Sequence, residues 1–108
     1  MPTPVPGKRV RGSTSGRPIM ALLDLLGRRW TLRIMWELRD PEPLTFRELR
    51  ARCDDMSPSV LNARLADLRD AGVIETAPGG GYCLTAHGRE LGSALEPLDA
   101  WAKAWASR

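Results

Sequence analysis

The 108-residue chain is poor in the side chains that most site chemistry requires. It has one histidine, His87, and two cysteines, Cys53 and Cys83, which lie 30 positions apart with no partner at zinc-ligand spacing. Neither a disulfide framework nor a metal site is expected from them, and a reducing cytoplasm is the default location. Cys53 precedes Asp54 and Asp55, acids that raise rather than lower a thiol pKa. No Ser-His-Asp constellation, phosphate-binding glycine loop or carboxylate cluster is evident, so catalysis and cofactors are not expected. No apolar run reaches 18 residues, which excludes a membrane-spanning helix. The basic N-terminus is followed by no apolar stretch, which argues against a signal peptide. Aromatics are scarce too: Trp30, Trp36, Trp101 and Trp105 are joined only by Phe46 and Tyr82.

Acid is missing from residues 1–18, where Lys8, Arg9, Arg11 and Arg17 give +4. The remainder holds 12 basic and 13 acidic side chains, net −1, so the formal +3 of the whole chain is unevenly spread. Within that remainder, residues 28–52 are again basic, with Arg28, Arg29, Arg33, Arg39, Arg47, Arg50 and Arg52 against Glu37, Asp40, Glu42 and Glu48. Clustered cations are the footprint expected for a polyanionic partner, although a solvated arginine-rich surface has the same composition.

Pro, Gly, Ser, Thr and basic residues dominate 1–17, which read as a disordered arm; residues 18–108 form the folded domain. Pro18 opens a short helix ended by Gly27, and a second helix from Trp30 to about Arg39 stops at the Asp40–Pro43 segment. Thr45 with Glu48 forms a capping box at the start of a third helix. Ser57 and Pro58 begin a fourth, which Gly72 ends. After Gly72 the period changes: residues 73–76 and 81–84 read as two short strands around a turn from Pro78 to Gly81. Thr85 caps a final helix, and Pro97 predicts a kink or break in it near Ser93 to Pro97.

The pair of helices between Thr45 and Gly72 carries the functional signal. In the second, Leu61, Leu65 and Leu68 form an apolar stripe, while Ser59, Asn62, Ala63 and Ala66 lie opposite. A helix that packs on one side and offers short side chains on the other suits the major groove of DNA. Asn62 is the best reader, since an amide can bond adenine N6 and N7 together; Ser59 and Ala63 are its neighbours on that face. Arg47 and Arg50 are assigned to phosphates, while Ser57 is first a structural N-cap whose helix start is also a candidate phosphate contact. Arg64 sits beside the stripe, with a phosphate contact and an ion pair to Asp67 or Asp40 equally open. Arg28 and Arg29 suit either phosphate contact or an interhelical bridge. Lys8, Arg9 and Arg11 on the arm are candidates for the DNA backbone or minor groove.

The hairpin following the two helices has the arrangement of a winged helix. Its wing is short and has no Lys or Arg between Gly72 and Thr85, so a structural hairpin and a DNA contact both stay open. Trp101 and Trp105, at i and i+4 on the last helix, make a stripe with Leu98 that the body is not expected to cover. The expected cover is a second copy, with Ile19, Leu22 and Leu23 of the first helix joining the interface; packing back on the same domain is the alternative.

Three segments carry a family resemblance: LLDLLGRRWTLRIMWEL (22–38), LTFRELRARCDDMSPSVLNARLADLRDAGVIE (44–75) and YCLTAHGREL (82–91). In order and spacing the chain resembles the HxlR-type winged helix-turn-helix transcriptional regulators, related to the MarR regulators, over about residues 18–105. The resemblance implies a regulator of transcription. It also marks two departures. Arg17 stands where family members usually carry a cysteine, which in some senses oxidants or electrophiles, and the wing is shorter than usual.

The expectation is therefore a mainly α protein with a small β-hairpin: a winged helix-turn-helix with a three-helix core, a wing, and N- and C-terminal dimerisation helices. Its partners would be double-stranded DNA, read at a pseudo-palindromic operator, and a second copy of itself. A small-molecule effector of unknown kind would sit in the dimer interface or at a helix junction. The competing reading is a winged helix that docks a protein instead of DNA.

Overall fold

In the computed structural model, which describes residues 2–108, the element order is α1 (Pro18–Leu26), α2 (Thr31–Glu37), α3 (Phe46–Arg52), α4 (Pro58–Asp70), β1 (Ile74–Thr76), β2 (Tyr82–Leu84) and α5 (Ala86–Ala106). Local chemistry sets most of these boundaries. The Thr45 hydroxyl accepts from the Glu48 amide at 3.1 Å while the Glu48 carboxylate accepts from the Thr45 amide at 2.9 Å, closing the capping box at α3. Ser57 accepts from the Val60 amide, and Pro58 takes the first position of α4, where its missing N–H leaves no bond unmade. Gly72, at φ +76°, turns the chain out of α4.

The α3–α4 turn is tight because Asp54 and Asp55 both adopt left-handed backbone, at φ 58° and 53°. Aspartate tolerates that region better than most residues. The core beneath is built by Ile34, Leu38, Leu49, Leu61, Leu65 and Leu68, all with almost no exposure. Each such side chain contributes roughly 1.5–3 kcal/mol by leaving water. Trp30 and Phe46 pack partly buried against this cluster.

The two strands pair antiparallel with Ile74 opposite Leu84 and Thr76 opposite Tyr82. Leu44 adds a bridge to Tyr82 through two backbone hydrogen bonds of 2.7 and 3.0 Å, which ties the α2–α3 connection to the wing. Gly81 permits this approach: at φ +82°, a Cβ there would stand 3.1 Å from the Leu44 carbonyl oxygen.

α5 departs from expectation in one respect: it runs unbroken through Pro97. Proline has no N–H to offer the carbonyl four residues back, at a cost of about 3 kcal/mol in a helix interior. Pro97 and Ser93 are both exposed, so water can satisfy that carbonyl. Only the first half of α5 packs on the core, through Leu91 and Leu95, while residues 101–108 are all exposed. A helix of this length spans about 31 Å. Its protruding half accounts for a radius of gyration of 14.3 Å, against about 13 Å for a compact chain of this size.

The arm expected over residues 1–17 carries contacts of its own. Residues 2–17 contain no helix or strand, yet they lie along the body. The Thr3 hydroxyl bonds the carboxylates of Asp67 and Asp70 on α4, the Arg11 amide donates to Asp24 on α1, and Arg28 donates to the Pro2 carbonyl. The segment folds back on itself through Gly7–Gly16 and Val10–Ser13 backbone bonds, with Val10 buried. Met1 lies outside the described residues.

Candidate nucleic-acid interface

With Leu61, Leu65 and Leu68 sunk in the core, α4 turns Ser59, Asn62, Ala63 and Ala66 outward, all exposed. Asn62 has no hydrogen-bond partner among the described residues, so its amide is free to pair outward. The Ser59 hydroxyl lies 3.0 Å from that of Ser57 at the helix start, placing two hydroxyls together there. Arg69 comes seven residues after Asn62 and therefore shares its side of the helix. It is exposed and joins no ion pair among the described residues. Nothing in the leucine periodicity drew attention to it; the same seven-residue step from Asn62 would have found it.

The supporting helix offers fewer cations than its composition suggests. Arg47 is exposed and joins no ion pair among the described residues, as the phosphate assignment requires. Arg50 is partly engaged: its Nε donates to the Met56 carbonyl at 2.7 Å and a terminal nitrogen donates to the Asp55 carbonyl at 3.3 Å. This guanidinium braces the left-handed turn, whose carbonyls α3 and α4 leave without helical partners. Arg33 on α2 is similarly engaged, with Glu37 at 2.9 Å, Asp54 at 3.5 Å and the Arg52 carbonyl at 2.6 Å. The Glu37 hydrogen bond leads the causes that raise its pKa. Arg52 itself is exposed beside Glu48. The Glu48 carboxyl is held below its ordinary range, first by the Thr45 backbone hydrogen bond and then by the Thr45 side chain.

Arg64 resolves toward the ion pair. Its Nε lies 3.3 Å from Asp67, whose other oxygen is 3.0 Å from Arg28 and 3.0 Å from the Thr3 hydroxyl. The Arg28 and Asp67 side chains are only 9% and 8% exposed. A carboxylate so buried must be compensated, and two guanidiniums and the Thr3 hydroxyl, from three parts of the chain, converge on it. The pairing of Arg28 with α4 is thus the interhelical bridge, and it locks the side of the helix that faces away from Asn62.

Lys8, Arg9 and Arg11 have exposed side chains on the arm, whose ends are fixed at α4 and α1. The wing tip, Gly79 and Gly80, stands in open space and carries no cation. His87 is exposed 3.9 Å from Glu90. Cys53 is fully buried, and burial leads the causes that push its thiol up. Cys83 is half-buried with its Sγ near the Glu75 carbonyl.

The second surface of note is apolar. Ile19 and Leu23 on α1 and Leu98, Trp101 and Trp105 on α5 are all more than half exposed, while Leu22 is half-buried. The two indoles stack with centroids 5.7 Å apart. Leu32 and Trp36 on α2 are exposed as well, with Arg39 lying 3.9 Å over the Trp36 ring. Among the described residues, no helix is long and apolar enough to cross a membrane, and no group of three His, Cys, Asp or Glu residues is placed to hold a metal ion.

Comparison with known proteins places these features. The HxlR-like helix-turn-helix family profile matches residues 25–108. The uncharacterized HTH-type transcriptional regulator YvaP of Bacillus subtilis (strain 168) is 32% identical over 89 residues, covering 77% of this chain and 82% of that protein. Quinone-bound YodB of B. subtilis superposes with a TM-score of 0.72 at 29% identity, covering 81% of this chain and 96% of that one. A possible HxlR family transcriptional factor of Thermoplasma volcanium GSS1 gives 0.73 at 28% identity, covering 84% and 86%.

Proposed function

The chain belongs to the HxlR-like helix-turn-helix family of transcriptional regulators, and on that premise we propose that it binds a pseudo-palindromic operator as a homodimer in the cytoplasm, with α4 in the major groove. The observation that carries this reading is the division of α4: leucines wholly buried, and an open face of short side chains centred on the unpaired Asn62. Asn62 bonds a base edge, Ser59 and Ala63 lie against neighbouring bases, and Ala66 permits close approach. Phosphates are held by Arg47 and by the Ser57 end of α4, with Arg52 and Arg69 added as exposed cations on the same two helices. Lys8, Arg9 and Arg11 add charge from the arm. Arg50 and Arg64 act from behind, fixing the turn and the helix instead of meeting DNA.

The dimer forms through α1 and α5, whose outer apolar side chains lack cover in the single chain. Two-fold symmetry then sets two copies of α4 about one DNA turn apart. Operator binding in gel-shift titrations tests the reading. Asn62→Ala is expected to lower preference for the operator over unrelated duplex, whereas Arg47→Ala weakens binding to both and reduces the salt slope. If neither substitution changes operator affinity, α4 does not occupy the groove. Salt-insensitive association with a protein, together with no DNA binding, would replace this reading with a protein-docking winged helix.

A further inference from the structure

Behind the reading face, where the arm, the α1–α2 turn and α4 meet, a cleft of about 280 Å³ is lined by Arg11, Gly27, Arg28, Arg29 and Arg64. Every side chain on this wall is a guanidinium. The carboxylates paired with them are Asp67, shared by Arg28 and Arg64, and Asp24, 3.8 Å from Arg11. Four guanidiniums thus share two paired carboxylates, with Asp70 held beside Asp67 by the Thr3 hydroxyl. Arg29 is exposed and joins no ion pair among the described residues, and Arg11 is 73% exposed on a long contact. The Nε of Arg64 is buried 3.3 Å from the Asp67 Oδ2, an ion-pair distance without hydrogen-bond alignment, so neither atom has a hydrogen-bond partner and the terminal nitrogens of Arg64 are the part left for the cleft.

Like charges gathered in one recess repel. An oxyanion relieves that repulsion. Guanidinium forks match phosphate oxygens in pairs, and Arg29 has no carboxylate partner while Arg11 has only a long one. The volume corresponds to about nine waters at 30 Å³ each, enough for a phosphate or a small phosphorylated molecule.

We propose that this cleft is a phosphate-binding site, with Arg28 and Arg64 at its floor and Arg29 and Arg11 at its mouth. The occupant is a phosphate oxyanion, either free in solution or part of a DNA backbone. Because Arg28 and Arg64 also hold Asp67, occupation acts on the contact that braces α4 and anchors Thr3. The site does not depend on operator recognition by Asn62, so it stands or falls separately from that reading.

The test is a titration of the full chain with inorganic phosphate at constant ionic strength, following arginine Nε–Hε signals by NMR. Saturable shifts at Arg29 and Arg64 are expected, with Arg39, over Trp36 on α2, unaffected. Arg29→Gln and Arg11→Gln, both at exposed side chains, should each weaken phosphate by on the order of tenfold; Arg39→Gln should leave it unchanged. Repeating the titration on protein saturated with duplex DNA separates the sources. Competition identifies a backbone phosphate as the occupant, and unchanged affinity identifies a free ligand. Non-saturating shifts, or equal shifts at Arg39, would overturn the site.

Discussion

α4 and α5 are both amphipathic helices with a leucine-bearing stripe, and the fold treats them in opposite ways. On α4, Leu61, Leu65 and Leu68 are essentially inaccessible, and the face left outside is small and polar. On α5, only Leu91 and Leu95 reach the core; Leu98, Trp101 and Trp105 remain about 60% exposed. One helix is completed by its own chain and shows water what it needs for a polar partner. The other is completed only if something apolar covers it. The contrast teaches that the stripe alone does not say which face works: on α4 the polar face is free, and on α5 the apolar face is.

The largest test of this contrast is truncation of the stripe. Leu65→Ala should cost about 3 kcal/mol in urea unfolding, since it opens a cavity in a filled core. The same change at Leu98, measured in dilute protein, should cost less than about 0.5 kcal/mol, as for surface positions. Equal losses would mean that α5 is already covered within the single chain. Next in size, Trp101→Ala combined with Trp105→Ala should raise the dimer dissociation constant in sedimentation by on the order of 100-fold or more, the scale of aromatic anchors in interfaces. Unchanged mass would remove α5 from the dimer contact.

Smaller effects sharpen the α4 side. Asn62→Ala should leave unfolding stability within about 0.5 kcal/mol while reducing operator discrimination by roughly tenfold. A stability loss without a change in discrimination would make the polar face structural. Smallest is the acid response of the α3 cap. Glu48 has a carboxyl depressed from its ordinary value of 4.5, so its stabilisation is complete above that value and fades as pH falls through the lower, folded one. Glu48→Gln keeps a capping side chain without the charge. The gap in stability between wild type and Glu48→Gln should therefore narrow below about pH 4 and stay constant from pH 5 to 7. A gap that persists undiminished at pH 3 would detach the charge of Glu48 from the cap.

Much of this was legible along the chain because the signals are local. Thr45 with Glu48, Ser57 with Pro58, Gly72 and Thr85 each act within a few residues, and each bounds an element near where its chemistry puts it. The leucine stripe likewise fixed which way α4 faces. Arg50, Arg28 and Arg64 were harder, since a guanidinium reaches far and its partner is set by whatever the fold brings near. Arg50 looked like a phosphate ligand by spacing alone, yet the nearest acceptors are the carbonyls of the turn it helps to close. At Pro97 the break does not occur: proline weakens a helix locally, but neighbouring bonds and solvent carry α5 across it.

The sequence by itself thus determined the order of the elements, the capped boundaries and the inward stripe of α4, because caps, turns and periodicity act over a few residues. Tertiary structure alone decided which arginines are free, that the arm lies along the body through Thr3 and Arg11, and that Asp67 joins three distant segments. Those outcomes depend on charges far apart in sequence meeting in one place, where burial makes an unpaired ion too costly to leave.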